Sequence, residues 1–258
     1  MNYLILTDLE RVAGIDSFRQ TRTTDNEVKG PAMKQLAREV NACAQGIRQA
    51  DPLAVVDVID GHGSGGLFPE DLADSRYIRF KEFRLESMPQ YAALLFVGQH
   101  AMAGTIDAPL CHTYSSLHVQ YYRLNDVFIG EFGAFANWAG LHGVPTIFLA
   151  GDDKAALEAQ LFVPPIETAV TKQGKGMEAA EHLEPDEACR LIRDGAARAV
   201  RRIAEIPPFA RFQPPFVFEA RYYEPLKPET IRSRPNARLL DERTYRIETT
   251  DYRELPFF

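Results

Sequence analysis

Cysteine is scarce in this sequence. Cys43, Cys111 and Cys189 are three among 258 residues, odd in number and far apart, which argues against a disulfide framework and against a CxxC metal site. No apolar run approaches the length that spans a bilayer. Residues 1–8 lack the basic n-region and long h-region of a secretory signal, so the expectation is a cytoplasmic protein with no membrane partner. Positive charge is also in short supply. The 29 Lys and Arg face 36 Asp and Glu, a formal net charge of −7, which argues against nucleic acid as a partner. Internal repeats and low-complexity segments are absent. The one glycine-rich turn, residues 60–66, lacks the GxxxxGK[ST] spacing of a phosphate-binding loop, and no clear helix follows it.

The remainder reads as an α/β protein. A chain of this length buries one large domain or two smaller ones, and 45% hydrophobic with 25% charged residues is ordinary for a globular fold. Apolar runs at 4–6, 53–59, 92–97, 146–150 and 166–171 read as strands covered on both faces. Helical spacing predicts helices over 31–49, 131–142, 154–161 and 185–206, with Pro31 and Pro185 in first turns. Residues 19–26 read as a mobile loop and 172–176 as a flexible turn with two cations. Asn125-Asp126 marks a hairpin between 117–124 and 127–130. From Phe216 onward the residues alternate as in antiparallel strands. The expected architecture is a mostly parallel sheet covered by helices, with an added antiparallel C-terminal portion. The expected division is an α/β metal-binding catalytic domain over 1–207 and a β-rich subdomain over 208–258.

Chemistry-bearing residues gather at element ends. Residues 98–116 hold His100 just past a strand and His112 beyond a small-residue turn, followed by Tyr114, Ser115 and Ser116. Asp8 and Glu10 follow the first strand, His62 follows the second, and Glu131 opens a helix. Strand ends on one edge of an α/β sheet converge, which is where such sheets bind ligands. Two imidazoles with three carboxylates suit borderline divalent metals, zinc first, and the carboxylates need positive charge to share a site. Each residue also has an ordinary reading: a solvated loop for Asp8 and Glu10, a loop histidine for His62, the helix dipole for Glu131. The three hydroxyls either cap a loop or donate to an oxyanion. His118, His142 and His182 read as core or surface residues, and Asp152 and Asp153 as a helix cap.

Taken in order, these motifs resemble the DppA-type D-aminopeptidases, a family of dinuclear zinc metallopeptidases. The resemblance runs through nearly the whole chain. It rests on D-x-E (Asp8, Glu10), D-x-H-G (Asp60, His62, Gly63), G-x-H-A (Gly98, His100, Ala101), H-T-Y-S-S (residues 112–116), G-E-x-G (Gly130, Glu131, Gly133) and G-D-D (residues 151–153). It implies two zinc ions per subunit, with Asp8 bridging, Glu10 and His62 completing one ion, and His100 and Glu131 completing the other. It implies His112 as a catalytic residue beside the metals, short peptide substrates with an N-terminal D-residue, and a ring-shaped homo-oligomer. Three positions depart from the family pattern: Arg11 stands where Gly is usual, Ile59 where Asn is frequent, and Cys111 where Asp is common. The expected reaction is amide hydrolysis by metal-activated water. The rival readings are His112 as nucleophile or sole base, a metal-stabilised peptide-binding protein without turnover, and a different dinuclear metal hydrolase.

Overall fold

The computed structural model describes residues 1–234 and 236–258. The elements run β1 (Asn2–Thr7), α1 (Phe18–Thr21), α2 (Asn26–Ala50), β2 (Val55–Asp60), β3 (Arg76–Arg79), β4 (Ala93–Gln99), β5 (Val119–Leu124), β6 (Val127–Phe128), α3 (Glu131–Leu141), β7 (Thr146–Asp152), α4 (Asp153–Phe162), β8 (Glu167–Gly176), β9 (Ala179–His182), α5 (Pro185–Arg201), β10 (Phe216–Tyr222), α6 (Pro228–Arg232), β11 (Ala237–Asp241) and β12 (Thr244–Thr249).

Seven strands form one sheet in the order β3-β2-β1-β4-β7-β8-β9, parallel except for the terminal β8–β9 pair. The inner strands are apolar runs buried along almost their whole length, as parallel strands covered on both faces must be. From β1 the chain builds outward through β2 to β3. It then returns to the other side of β1 and builds outward again through β4, β7 and β8. Right-handed crossovers in opposite directions put α2 on one face and α3 with α4 on the other. The packing agrees, with α2 against α5 and α3 against α4. The crevice between β1 and β4 is therefore the topological switch point, the position from which open α/β sheets bind ligands.

A second sheet is antiparallel, in the order β11-β12-β10-β5-β6. The hairpin turn falls at Asn125 and Asp126, both at positive φ (48° and 67°), as a two-residue primed turn requires. This sheet is not made by the C-terminal segment alone. β5 and β6 come from the middle of the chain and pair with β10, so the division expected at residue 207 separates strands that are hydrogen-bonded to one another. Its aromatic residues join the main core. The Tyr252 hydroxyl donates to the Ala134 carbonyl on α3 at 2.9 Å, and the Phe212 N–H donates to Asn137 Oδ1 at 2.9 Å.

Some expected boundaries move. Helix α2 begins at Asn26 rather than Pro31, because Asp25 caps it by accepting from the Glu27 N–H at 2.9 Å. Pro31 near the helix start forfeits a single backbone bond. The expected loop at 19–26 contains α1, whose Ser17 and Gln20 form a capping box. The expected flexible turn at 172–176 is a continuation of β8, paired with β9. The edge strand β3 was not among the expected elements.

Candidate metal centre

The sheet register brings the site residues together. Thr7 of β1 lies opposite Asp60 of β2 and Val97 of β4, so the segments carrying Asp8, His62 and His100 leave the same edge. The backbone ties them there. The Asp8 N–H donates to Val97 O at 2.9 Å, the Gly61 N–H to Thr7 O at 3.0 Å, and the Arg11 N–H to Gly98 O at 3.1 Å. Gly98 has φ +80°, and a Cβ on it would collide with the Asp8 carbonyl, so this close approach requires glycine. Glu131 enters from the first turn of α3. His112 enters from the long connection between β4 and β5.

Two groups of three result. Asp8, Glu10 and His62 each offer a ligand atom within 4.8 Å of the others, and so do His100, His112 and Glu131. His62 Nε2 lies 3.3 Å from Glu10 Oε1. His100 Nε2 lies 3.1 Å from Asp8 Oδ2 and 3.3 Å from Glu131 Oε1. The His100 and His112 rings stack at 3.8 Å. Glu131 Oε1 also accepts the Tyr114 N–H at 2.7 Å.

The imidazoles share one arrangement. Nδ1 faces a backbone carbonyl in each case: Gly65 at 3.3 Å for His62, Ala101 at 2.9 Å for His100 and Leu110 at 2.8 Å for His112. Carbonyl oxygens only accept, so each Nδ1 carries a proton, and in the neutral imidazole that a metal binds the Nε2 lone pair is free. In His62 and His100 that lone pair faces carboxylate oxygens, acceptor against acceptor. Among the described residues, buried His100 Nε2 and Glu10 Oε2 have no hydrogen-bond partner. A cation between these atoms resolves both conflicts, and nitrogen with carboxylate donors is the set that zinc takes. The residues fit the metal.

With the protein atoms alone, protonation of the imidazoles takes the place of that cation. Burial, then Glu10, pushes Asp8 up to about 7. Burial opposes the charged forms of Glu10 and Glu131, but the neighbouring imidazoles, His62 for Glu10 and His100 for Glu131, hold both below the usual carboxylate range. Burial likewise works against protonated His62, yet Glu10 raises it to about 9. His100, only 2% exposed, is raised well above the ordinary imidazole value once Glu131 and Asp8 overcome its burial. His112 goes the other way: burial, then His100, brings it down to about 4.

Further residues, not singled out in the sequence, hold these groups in place. The Asp60 carboxylate accepts the Gly66 N–H at 3.0 Å and 2.9 Å and folds the loop that carries His62. Glu158 of α4 takes the Met102 N–H at 2.7 Å just past His100. Thr113 Oγ1 accepts the Ala103 N–H at 3.1 Å and links the two histidine turns. Arg11 is fully buried and paired with Asp152, whose other oxygen caps α4 at the Lys154 and Ala155 N–H groups. Lys172 is 1% exposed and donates to the Glu10 carbonyl at 3.3 Å and to the Ile15 carbonyl. Cys111 donates weakly to Thr105 O at 3.5 Å, and the Leu110 carbonyl, not residue 111, orients His112. His182 accepts the Gly14 N–H at 3.1 Å, and His142 packs on Trp138. His118 is exposed. These three histidines stand apart from the two groups of ligands.

A cavity of about 840 Å³ opens over Asp8, Glu10, His62, His112 and Glu131. Phe80, Phe135 and Phe258 form an aromatic wall in it, with ring centroids 5.9 Å and 5.1 Å apart along the series.

Comparison with known proteins follows the same geometry. The D-aminopeptidase family model matches residues 1–256. The chain belongs to the D-aminopeptidase family. A D-aminopeptidase of Bacillus subtilis (strain 168) is 35% identical over 119 residues, 46% of this chain. That alignment spans 42% of the relative's length. The solved structure of the Zn-dependent D-aminopeptidase DppA from Bacillus subtilis, described as a self-compartmentalizing protease, matches with a TM-score of 0.88 at 24% identity. The match covers 98% of this chain and 93% of that one. The α/β fold with its mostly parallel sheet and added antiparallel sheet is thus the fold of that structure. Among the described residues, no helix is long and apolar enough to cross a membrane.

Proposed function

We propose that this chain is a zinc-dependent aminopeptidase that hydrolyses short peptides or amides, with an N-terminal D-amino acid preferred and two ions per subunit. The observation that carries this reading is the set of imidazoles whose Nδ1 atoms face backbone carbonyls while their free Nε2 atoms meet buried carboxylates at the floor of a cavity. Asp8 would be shared between the two ion positions. Glu10 and His62 would hold one ion, and His100 and Glu131 would hold the other. When bound, zinc supplies Lewis acidity toward a carbonyl and acidifies water. The chain's own groups do the rest. His112 is unprotonated at neutral pH because burial and His100 hold it at about 4. Its Nδ1–H is occupied by Leu110, so Nε2 is the atom that takes a proton from the attacking water and passes it to the leaving amine. The aromatic wall excludes water from beside the peptide side chain. The names of the Bacillus relatives support the D-residue preference and the metal, and the self-compartmentalizing description of one of them supports a ring-shaped homo-oligomer.

The test pairs metal analysis with a panel of D- and L-aminoacyl substrates. Wild-type protein is expected to hold two zinc ions per chain and to cleave D-aminoacyl substrates at least about tenfold faster than L. His100→Ala is expected to lose zinc and at least about 10³-fold in kcat/KM. A wild type that binds zinc and peptide yet never cleaves overturns the peptidase reading in favour of a binding protein. Turnover of phosphate esters alone assigns a different hydrolase. His112 lies within ligand range of His100 and Glu131, which favours one rival role for it, that of a further zinc ligand. His112→Ala separates the two roles: undiminished zinc with kcat lower by about 10²–10⁴-fold marks proton transfer, and loss of an ion marks ligation.

A further inference from the structure

We propose that Arg22 binds the free C-terminal carboxylate of the substrate, which makes the site selective for di- and tripeptides over peptide amides and longer chains. This deepens the aminopeptidase reading and rests on it for the identity of the substrate.

Arg22 lines the same cavity as the metal-ligating groups. It is exposed at the surface, yet its guanidinium is fixed on two sides. The guanidinium carbon sits 3.4 Å from the centre of the Phe18 ring, and Nε donates to Ser116 Oγ at 3.0 Å. Stacking on an aromatic face and a hydrogen bond at Nε leave the two terminal nitrogens as a fork with the spacing of a carboxylate. Among the described residues no carboxylate comes within ion-pair distance of that fork. Arg79, another cation of the cavity, is by contrast paired with Glu82. Glu178, the acid beside α1, is taken up by the Ser17 hydroxyl at 3.2 Å and the Phe18 N–H at 2.8 Å. An arginine held in place and left without an anion has the form of a binding group.

Its position sets the length of the ligand. Phe18 packs edge-on against His112 with centroids 6.4 Å apart, and His112 stacks on His100. Arg22 thus stands one aromatic ring beyond the group that handles the scissile bond. An extended residue covers about 3.3–3.6 Å, so one or two residues past the cleaved amide bring a terminal carboxylate to the fork. A longer peptide brings neutral backbone there instead. With two divalent ions against three carboxylates the metal centre would itself attract an anion, and Arg22 offers the acid end of the substrate a partner away from the ions.

The experiment compares a D-aminoacyl dipeptide with its own C-terminal amide, using zinc-loaded wild type, Arg22→Met, Arg22→Lys and Lys81→Ala. Lys81 lines the cavity too and serves as the control cation. Wild type is expected to show a KM for the acid about 10- to 100-fold below that for the amide. Arg22→Met is expected to raise the KM of the acid by that factor, to leave the amide unchanged, and to alter kcat by less than about threefold. Arg22→Lys is expected to fall between. In parallel, calorimetry with a reduced-amide dipeptide analogue, which cannot be cleaved, is expected to show the same preference for the acid in wild type and none in Arg22→Met. Equal losses on acid and amide in Arg22→Met, an unchanged acid preference, or loss of that preference in Lys81→Ala overturn the proposal. If the analogue reports the acid preference but no peptide is cleaved, the carboxylate site stands and the aminopeptidase reading falls. If peptides are cleaved and neither measurement senses the carboxylate, the peptidase stands and the Arg22 assignment falls.

Discussion

Two clusters of buried charge lie against one another in this protein, and they are built on opposite principles. At the sheet edge, Asp8, Glu10 and Glu131 share a pocket with three imidazoles whose protons are committed to backbone carbonyls. Behind them, Arg11 is paired with Asp152, Lys172 lies among Ile15, Glu10 and Glu39, and Glu39 accepts the Ala13 N–H at 2.8 Å. The rear cluster has its own cations and pins the loop that carries Asp8 and Glu10. The front cluster has no arginine or lysine among its members, and without an ion only protonated His62 and His100 balance its carboxylates. Buried charge that is neutralised from within serves to hold a backbone in place. Buried carboxylates balanced only by imidazoles that can give up their protons, held on rigid supports, mark where a positive ion belongs.

The sharpest way to break the contrast is to edit the front. Asp8→Asn is expected to reduce zinc binding at both positions and to lower kcat/KM by at least about 10³-fold, by metal analysis and steady-state kinetics. The same variant, stripped of metal with a chelator, is expected to melt above the equally stripped wild type, since it removes a carboxylate that burial and Glu10 disfavour. A lower melting point in the stripped variant would show that the front cluster compensates itself.

Arg11→Met tests the rear. Removing one partner of a buried pair leaves the other uncompensated, at a cost of about 3–5 kcal/mol. Denaturant unfolding is expected to show that loss of stability. Activity at low temperature is expected to fall less than in Asp8→Asn, since no metal donor is removed. A loss below about 1 kcal/mol would mean that the pair does not pin the loop.

Glu39→Gln is the mildest edit and reads the rear cluster through pH. Burial raises Glu39 to about 7, above its usual carboxylate value. A carboxyl group whose pKa is higher folded than unfolded stabilises the fold fully below its unfolded pKa of about 4.5, and that contribution is lost as pH rises through about 7. Wild type is therefore expected to lose about 3 kcal/mol relative to Glu39→Gln between pH 4.5 and pH 8, read from paired unfolding curves. Parallel pH profiles for the two proteins would show Glu39 to be ionised throughout.

Much of the front cluster was legible in the sequence, because each donor follows a recognisable apolar strand or opens a helix. Asp8, His62 and His100 follow strands whose parallel pairing brings their ends to one edge. The rear cluster was not legible. The segment around Lys172 reads as a flexible turn by composition, and only its pairing with β9 makes it a strand and buries the amine. Arg11 and Asp152 meet through tertiary packing between distant segments, which local patterns do not encode. Glu158 sits in a helix where a glutamate ordinarily faces solvent, and nothing near it in sequence announces the Met102 N–H that it holds. The fold class was readable from the order of elements. The membership of β5 and β6 in the second sheet was not, because their partner β10 lies far along the chain.

That long-range pairing has a kinetic consequence. Bringing β10 against β5 closes a loop that contains α3 through α5, and closure of long loops delays contact formation during folding. Pairing β1 with β4, which sets Asp8 beside His100, closes a loop of similar length (Tyr3 opposite Ala93, against Leu124 opposite Phe218). Phe257, which lines the cavity with Phe258, packs on Tyr122 and Phe218 of the second sheet. A newly made chain therefore completes neither the ion site nor the C-terminal edge of the peptide's wall until segments far apart in sequence have met, so that during maturation both competences wait on the same slow kind of contact.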